Sequence, residues 1–478
     1  MRKRNGEENG TWTKRRDWLK IGGAATFFQL VPRHVLGGPG FVPPSEQVAV
    51  AVVGAGGMGT IDTKELLKQP DARVVAVCDV SELSDPPGGW YRAPSGRKPA
   101  KKLVEDSVSQ KVPGFRCAEY EDFRVMLEKE KGVDAVLCAT PDHLHATVCL
   151  AAMRAGKHVY CEKPMAHSVE EVRLMARVAK ETGVATQMGI QGHSGNGIRL
   201  TAEWIRAGAI GAIREVHAWS DMGEWATGEG RPKETPPVPK GLNWDLWLGP
   251  RPFRPYHPAY APYNWRGWWA FGTGSIGDMA CHNMDPAIFA LDLHTPVSVE
   301  ASAVGEVDRE VTTFGGIYYY TFGTRGGLPP VKLTWYAGGI LPPYPDGLDP
   351  NDPQQRLGER QNGVLFVGEK GYITCPGWSG TPRILPLSLH RSFQKPAPTL
   401  PRVKGGHFQN WLTACKGGER ACADFEYSAR LTEIVLLGNV ALRTGGKLYW
   451  DAAAMKMTNS SAADEFLRDE YREGWKLV

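Results

Sequence analysis

Gln47-Val48-Ala49-Val50-Ala51-Val52-Val53-Gly54-Ala55-Gly56-Gly57-Met58-Gly59 is the stretch that decides the fold. Gln47–Val53 is an apolar run, short enough for a strand buried on both faces. The glycine turn leads into the helix-like Thr60–Lys68, and a second apolar run, Arg73–Cys78, closes on Asp79. Strand, glycine turn, helix, strand and an acid about 20 residues on is the context that makes G-x-G-x-x-G specific for a dinucleotide. Gly54 permits the tight turn, Gly56 lets backbone approach a pyrophosphate, and Gly59 lets helix pack on strand. The amides of Gly57 and Met58 head the helix, where its dipole also favours phosphate.

The expected fold class is therefore α/β, with a Rossmann domain over residues 46–190 and a second domain over 191–478. Asp79 would accept hydrogen bonds from the adenosine ribose hydroxyls and repel a 2′-phosphate, which favours NAD over NADP. Val133–Ala139 is another buried strand and ends in Thr140-Pro141-Asp142-His143-Leu144-His145, with a helix to Ala155 beyond. Loops at the carboxyl ends of such strands face the ligand crevice, so Thr140, Pro141 and His145 are candidate cofactor contacts. His145 as a plain helix cap is the alternative. Residues 84–114, with Pro86-Pro87-Gly88-Gly89 and Arg97-Lys98-Pro99, read as an irregular insertion on the adenine side.

After the strand His158–Cys161 comes Glu162-Lys163-Pro164, a lysine at a strand end pointing toward the nicotinamide. Much later, Gly272-Thr273-Gly274-Ser275-Ile276-Gly277 leads to Asp278 and His282. Their i, i+4 spacing puts both on one helix face. Met279, Met284, Ile288 and Leu291 fall on the opposite, buried side. Oxidising a carbinol requires a base for the hydroxyl proton as hydride leaves, and histidine titrates in the right range. Lys163 would steady the developing alkoxide, while Asp278 orients a substrate hydroxyl or the imidazole. A merely solvated polar face is the alternative, and Pro286 is expected to break or kink the helix, with Asp285 as a cap.

Together, Gly54–Gly59, Glu162-Lys163-Pro164 and Asp278-x-x-x-His282 resemble the glucose–fructose oxidoreductase / inositol dehydrogenase (Gfo/Idh/MocA) family. The resemblance runs from about Val48 to the C-terminus and includes His407-Phe408-Gln409-Asn410-Trp411 and Leu448-Tyr449-Trp450-Asp451. It implies that Lys163, Asp278 and His282 are catalytic. It also implies a C-terminal α/β domain with a large open, mostly antiparallel sheet that forms homodimers or homotetramers. Apolar runs at Phe314–Phe322, Val331–Tyr336 and Val364–Val367 suit such a sheet.

Seven tryptophans lie between Trp219 and Trp269, with Tyr256, Tyr260 and Tyr263 among them. Aromatic faces bind the C–H faces of sugar rings, or simply pack their own loops. Trp265 and Arg266, just before the turn to Asp278, are the best substrate contacts. Gln187 and Gln191, beyond the strand Ala185–Met188, are placed beside the nicotinamide, with Gln191 the stronger cofactor candidate.

Composition excludes several classes. Of 478 residues, 42% are hydrophobic and 23% charged, as in an ordinary globular protein. The formal charge of +4 is already supplied by residues 1–20, so the body lacks the basic excess of a nucleic-acid binder. Nine cysteines, spread singly, offer no zinc spacing, so no metal is expected. Lys14-Arg15-Arg16-Asp17-Trp18-Leu19-Lys20, followed by the weakly apolar Ile21–Val31, looks like a twin-arginine export signal within residues 1–40. The expectation is an exported, periplasmic NAD-dependent oxidoreductase acting on a sugar, glycoside or polyol. A glycoside hydrolase using transient oxidation and elimination, and a non-catalytic binding protein, are the alternatives.

Overall fold

A computed structural model describes residues 42–85, 91–222, 230–359 and 361–477. The basic leader, Pro86–Gly89 and Trp225 lie outside them.

The first sheet has six parallel strands, β1 (Val48–Val53), β2 (Ala72–Cys78), β3 (Ala118–Tyr120), β4 (Ala135–Cys138), β5 (His158–Cys161) and β6 (Thr186–Met188). Their order is β3-β2-β1-β4-β5-β6, so strand order reverses beside β1. Helices Gly57–Leu67, Asp142–Arg154 and Val169–Thr182 are among those connecting the strands. Every residue of β1 and β4 is buried, which is why these strands read as unbroken apolar runs rather than alternating ones.

Register does the positioning. Cys78, Val53, Cys138, Cys161 and Met188 are partners in one row across β2, β1, β4, β5 and β6. The residues after that row, Asp79, the glycine turn, Ala139-Thr140, Glu162-Lys163 and Gly189, therefore emerge together at the carboxyl edge. A crevice at that edge, where strand order reverses, is the ligand position of open α/β sheets.

The second sheet has nine strands: β7 (Ile213–Ser220), β8 (Ser298–Ala303), β9 (Gly316–Phe322), β10 (Val331–Ala337), β11 (Asn362–Gly368), β12 (Gly371–Pro376), β13 (Arg383–Leu385), β14 (Lys447–Asp451) and β15 (Lys456–Met457). It is antiparallel except for β7 beside β10. β9 alternates, with Tyr318, Tyr320 and Phe322 buried and Ile317, Tyr319 and Thr321 half-buried. The long helix Phe425–Thr444 contributes Leu431, Val435 and Leu437 to the main core.

Three expectations change. Residues 97–109 are not irregular: Arg97–Ser109 is a helix, with Pro99 tolerated in its first turn, where amides lack partners anyway. Helix Gly406–Cys415 places Phe408, Trp411 and Leu412 against Val48, Val50 and Val52, so a late segment completes the first sheet's core. The helix does break ahead of Pro286, as expected: Cys281–Asn283 ends at Met284 and a new helix begins at Asp285. Pro286 stands in the first turn of Asp285–Ala290, but Asp285 does not cap, because its carboxylate meets His193 Nδ1 at 2.9 Å and the Tyr427 hydroxyl.

Candidate active site

Of the three glycines of the G-x-G-x-x-G pattern, Gly54 and Gly59 are crowded and Gly56 is open. Gly54 has φ +87° and packs on Ala139, and a Cβ on Gly59 would fall 1.8 Å from the Gly54 carbonyl oxygen. A Cβ on Gly56 would meet nothing within 4 Å. The helix Gly57–Leu67 has no side-chain cap, so its first amides, with Met58 half-exposed beside them, form a seat for a phosphate, against which the Tyr91 ring packs at Gly57. This cradle fits a dinucleotide. Asp79 Oδ2 accepts from Ala55 N at 2.6 Å and Oδ1 from Ser81 N at 2.7 Å, which ties the acid to the glycine turn. Its remaining lone pairs are what a ribose would use, and burial pushes its pKa up.

The neighbouring strand ends are braced internally. His145 lies with Nε2 2.8 Å from the Thr140 carbonyl oxygen and Nδ1 2.8 Å from that of Pro164. It joins the Thr140-Pro141 loop to the Lys163-Pro164 loop and has no nitrogen left for a cofactor, so it is a brace. Cys138, His145 and Cys161 hold ligand atoms within 4.8 Å of one another, yet a metal would first have to displace one of those carbonyl contacts. Gln187 is also spent internally, on the His407 carbonyl oxygen at 2.9 Å and Ala423 N at 3.0 Å. Gln191 does approach the site, donating to Glu162 Oε1 at 3.2 Å and to the Tyr160 hydroxyl. Burial raises the Glu162 carboxyl. Beside it, Asp62 is buried with neither oxygen hydrogen-bonded, and desolvation plus the Glu162 charge push its pKa well up. Nothing in the sequence marks Asp62 except its place on the glycine-turn helix.

Lys163 extends from the end of β5 to Asp278, with Nζ–Oδ1 2.5 Å. Asp278 also lies 3.5 Å from Arg266 Nε, and Arg266 Nη1 donates to Asp142 at 3.0 Å. Asp142 accepts further bonds from the Thr273 amide and hydroxyl, at 3.1 and 2.6 Å. Burial alone would raise the Asp278 carboxyl, but the Lys163 and Arg266 charges overcome it and hold the pKa at about 2. Ile276–Ala280 is a π-helical turn, continued by Cys281–Asn283, a local widening common at functional sites. His282 sits on that continuation, within electrostatic reach of Lys163 and Asp278. Burial first, and the Lys163 charge second, lower its pKa to about 3, so the imidazole is neutral. Its buried Nδ1 has no partner among the described residues.

Lys163, Asp278, His282, Glu162, Gln191 and Arg266 thus lie together. Trp265 is half-exposed and carries the Arg266 guanidinium over its ring at 4.3 Å. Trp244, Trp247 and Trp268 instead form a buried cluster with Tyr260 and Phe271, which is packing rather than a sugar platform. Asp142 escaped sequence analysis because an acid in a helix's first turn is ordinary dipole chemistry.

Known proteins share this architecture. A family model described as "Oxidoreductase family, NAD-binding Rossmann fold" matches residues 97–190, and its companion C-terminal α/β domain matches 215–326. The chain is 26% identical over 215 residues to a levoglucosan dehydrogenase of Pseudarthrobacter phenanthrenivorans, covering 44% of this chain and 47% of that one. It is 32% identical over 194 residues to a 1,5-anhydro-D-fructose reductase of Ensifer adhaerens, covering 39% and 47%. The matches span about half the length of these relatives. In fold, the chain is similar to the WlbA dehydrogenase of Bordetella pertussis, solved with NADH and UDP-GlcNAcA. That likeness has a TM-score of 0.55 at 17% identity, over 85% of this chain and 99% of that one.

Proposed function

The chain belongs to the Gfo/Idh/MocA oxidoreductase family, and from that premise we propose that it transfers a hydride between NAD and a carbinol carbon of a sugar or polyol. The observation that carries this is the Lys163–Asp278 ion pair, set at the carboxyl edge of a sheet whose neighbouring turn is a dinucleotide cradle. NAD, when bound, supplies the hydride acceptor or donor.

The chain's own residues handle the oxygen and its proton. The Lys163 ammonium donates a hydrogen bond to the substrate oxygen and stabilises the negative charge that builds there. Asp278 holds that ammonium in place, and Arg266, itself fixed by Asp142, holds Asp278. His282 enters as neutral imidazole, the form a base requires. Its basicity rises as the alkoxide develops beside it, so it takes the hydroxyl proton in oxidation and returns it in reduction.

Two further parts belong to the same proposal. Lys14–Val31 directs export through the twin-arginine route, which a fusion of residues 1–40 to a reporter protein tests. The outer face of the second sheet, with Ile317, Tyr319 and Thr321 half-buried, forms a homo-oligomer, which light scattering tests.

The deciding experiment identifies nucleotides released on denaturation, then follows NADH formation with NAD and a panel of aldoses, anhydrosugars and polyols. Oxidation of one panel member, abolished in Lys163→Ala, supports the proposal. A wild-type protein that neither carries nor binds NAD, and oxidises none of the panel, overturns it.

A further inference from the structure

We propose that Tyr91 occupies the dinucleotide trough itself and must swing out before the cofactor can enter. The proposal rests on the dinucleotide function argued above and concerns how that site opens.

Sequence analysis placed the segment after β2 on the adenine side of the crevice. The base of this segment is pinned beside the glycine turn. Ser84 and Ser95 exchange backbone hydrogen bonds of 2.8 and 3.0 Å, and Gly96 N donates to the Ala55 carbonyl at 2.9 Å. Tyr91, however, reaches the other way. Its ring lies on Gly57, where a Cβ would fall 2.4 Å from the ring Cγ and 2.5 Å from both Cδ atoms. Gly57 is the first residue of the helix whose uncapped amides seat a phosphate. The far end of the same side chain feels the charges of Asp278, Arg266 and Glu162, the groups around the reacting centre. Tyr263 closes one flank, edge-on, with ring centroids 6.2 Å apart.

The ring therefore sits at the phosphate seat, with its hydroxyl end within reach of the charges around the reacting centre. A bound dinucleotide runs from its pyrophosphate at the glycine turn toward that centre. The ring fills the space beside Gly57 at the start of the helix, where a phosphate would approach. The absence of a side chain at Gly57 gives the ring its slot. The trough is thus closed by the chain's own residue, and its open form is the one that binds. Affinity is then reduced by the fraction of molecules with Tyr91 withdrawn.

The test compares NADH binding to wild type, Tyr91→Ala and Tyr91→Phe, by calorimetry and by stopped-flow fluorescence, with thermal melts to establish that each is folded. Tyr91→Ala is expected to bind about tenfold tighter or more, because the open fraction approaches one. Tyr91→Phe keeps the ring and is expected to stay within about twofold of wild type on the same argument. The wild-type association rate should level off at high NADH, limited by opening, and the Ala variant should remain linear. If wild type binds NADH and Tyr91→Ala binds no tighter, the plug is refuted and the dinucleotide function stands. If neither folded protein binds NADH or NADPH, both fall.

Discussion

Lys163 Nζ lies 2.5 Å from Asp278 Oδ1, joining the end of β5 to a π-helical turn 115 residues later in the chain. Each charge accounts for the other, since both side chains are largely buried. Lys163→Ala should therefore lower kcat by about 10²–10³-fold, the range of a lost donor to a developing oxyanion. NADH affinity should change little, while the melting temperature should fall, because the buried Asp278 carboxylate loses a cationic partner. Lys163→Arg should not restore activity, because a planar guanidinium cannot replace a point-charge ammonium in the same space. Steady-state NADH formation measures both, and turnover within about threefold of wild type in the Ala variant would contradict the assignment.

Asp142 is fully buried and receives bonds from Arg266 and Thr273 without touching the reacting groups. Removing it takes from the buried Arg266 guanidinium a carboxylate that it contacts at 3.0 Å. Asp142→Ala should cost about 3–5 kcal/mol in urea unfolding, as expected for breaking one half of a buried ion pair. Asp142→Asn, which keeps the acceptor for Thr273, should recover part of that stability. An Ala variant as stable as wild type would mean that Arg266 is held by other groups.

Gly56 and Gly59 should respond in opposite ways to alanine. A Cβ at Gly59 meets the Gly54 carbonyl oxygen at 1.8 Å, so Gly59→Ala must move the helix from the strand and lower the melting temperature. A Cβ at Gly56 meets nothing in the protein, so Gly56→Ala should fold normally and lose NADH affinity, because the methyl points where a pyrophosphate approaches. Melting curves and NADH titrations of the two variants separate the effects. Unchanged NADH affinity in Gly56→Ala would place the phosphate elsewhere.

The dinucleotide sheet was legible because strands buried on both faces leave unbroken apolar runs, and Val48–Val53 runs directly into Gly54. Lys163 was legible because register, a property of the sheet, puts every residue just beyond a strand end at one edge. The same rule misled at His145 and Gln187. A polar side chain near a strand end looks alike in sequence whether it faces a ligand or a carbonyl, and these two face carbonyls. The tryptophan-rich segment posed a related ambiguity, since indoles that stack on sugars and indoles that fill a loop core share one composition. Tyr91 was illegible because its segment has no periodicity, and only tertiary packing brings it to Gly57.

Acid should destabilise the fold through its buried imidazoles. Burial lowers His282 and His407 from the ordinary 6.5 to about 3, and lowers His143 well below its usual value. Each folded-state pKa is therefore depressed relative to the unfolded chain. Between about pH 6.5 and about pH 3 the unfolded chain binds protons that the folded chain does not, so stability present above about 6.5 is lost progressively as pH falls. Urea unfolding at about pH 7.5 and about pH 5 should show this loss, and His407→Gln should reduce it by removing one titrating group. Asp62 and Glu162, whose folded carboxyls are raised, act in the opposite direction. The difference between wild type and His407→Gln is therefore the test, and an equal pH response in both would contradict a neutral buried imidazole at His407. Catalysis should respond differently, because His282 already exists as the base throughout the interval. The acid limb of kcat/KM, which reports the free enzyme, should then fall well below the ordinary histidine range, and a limb centred near 6.5 would remove His282 as the base.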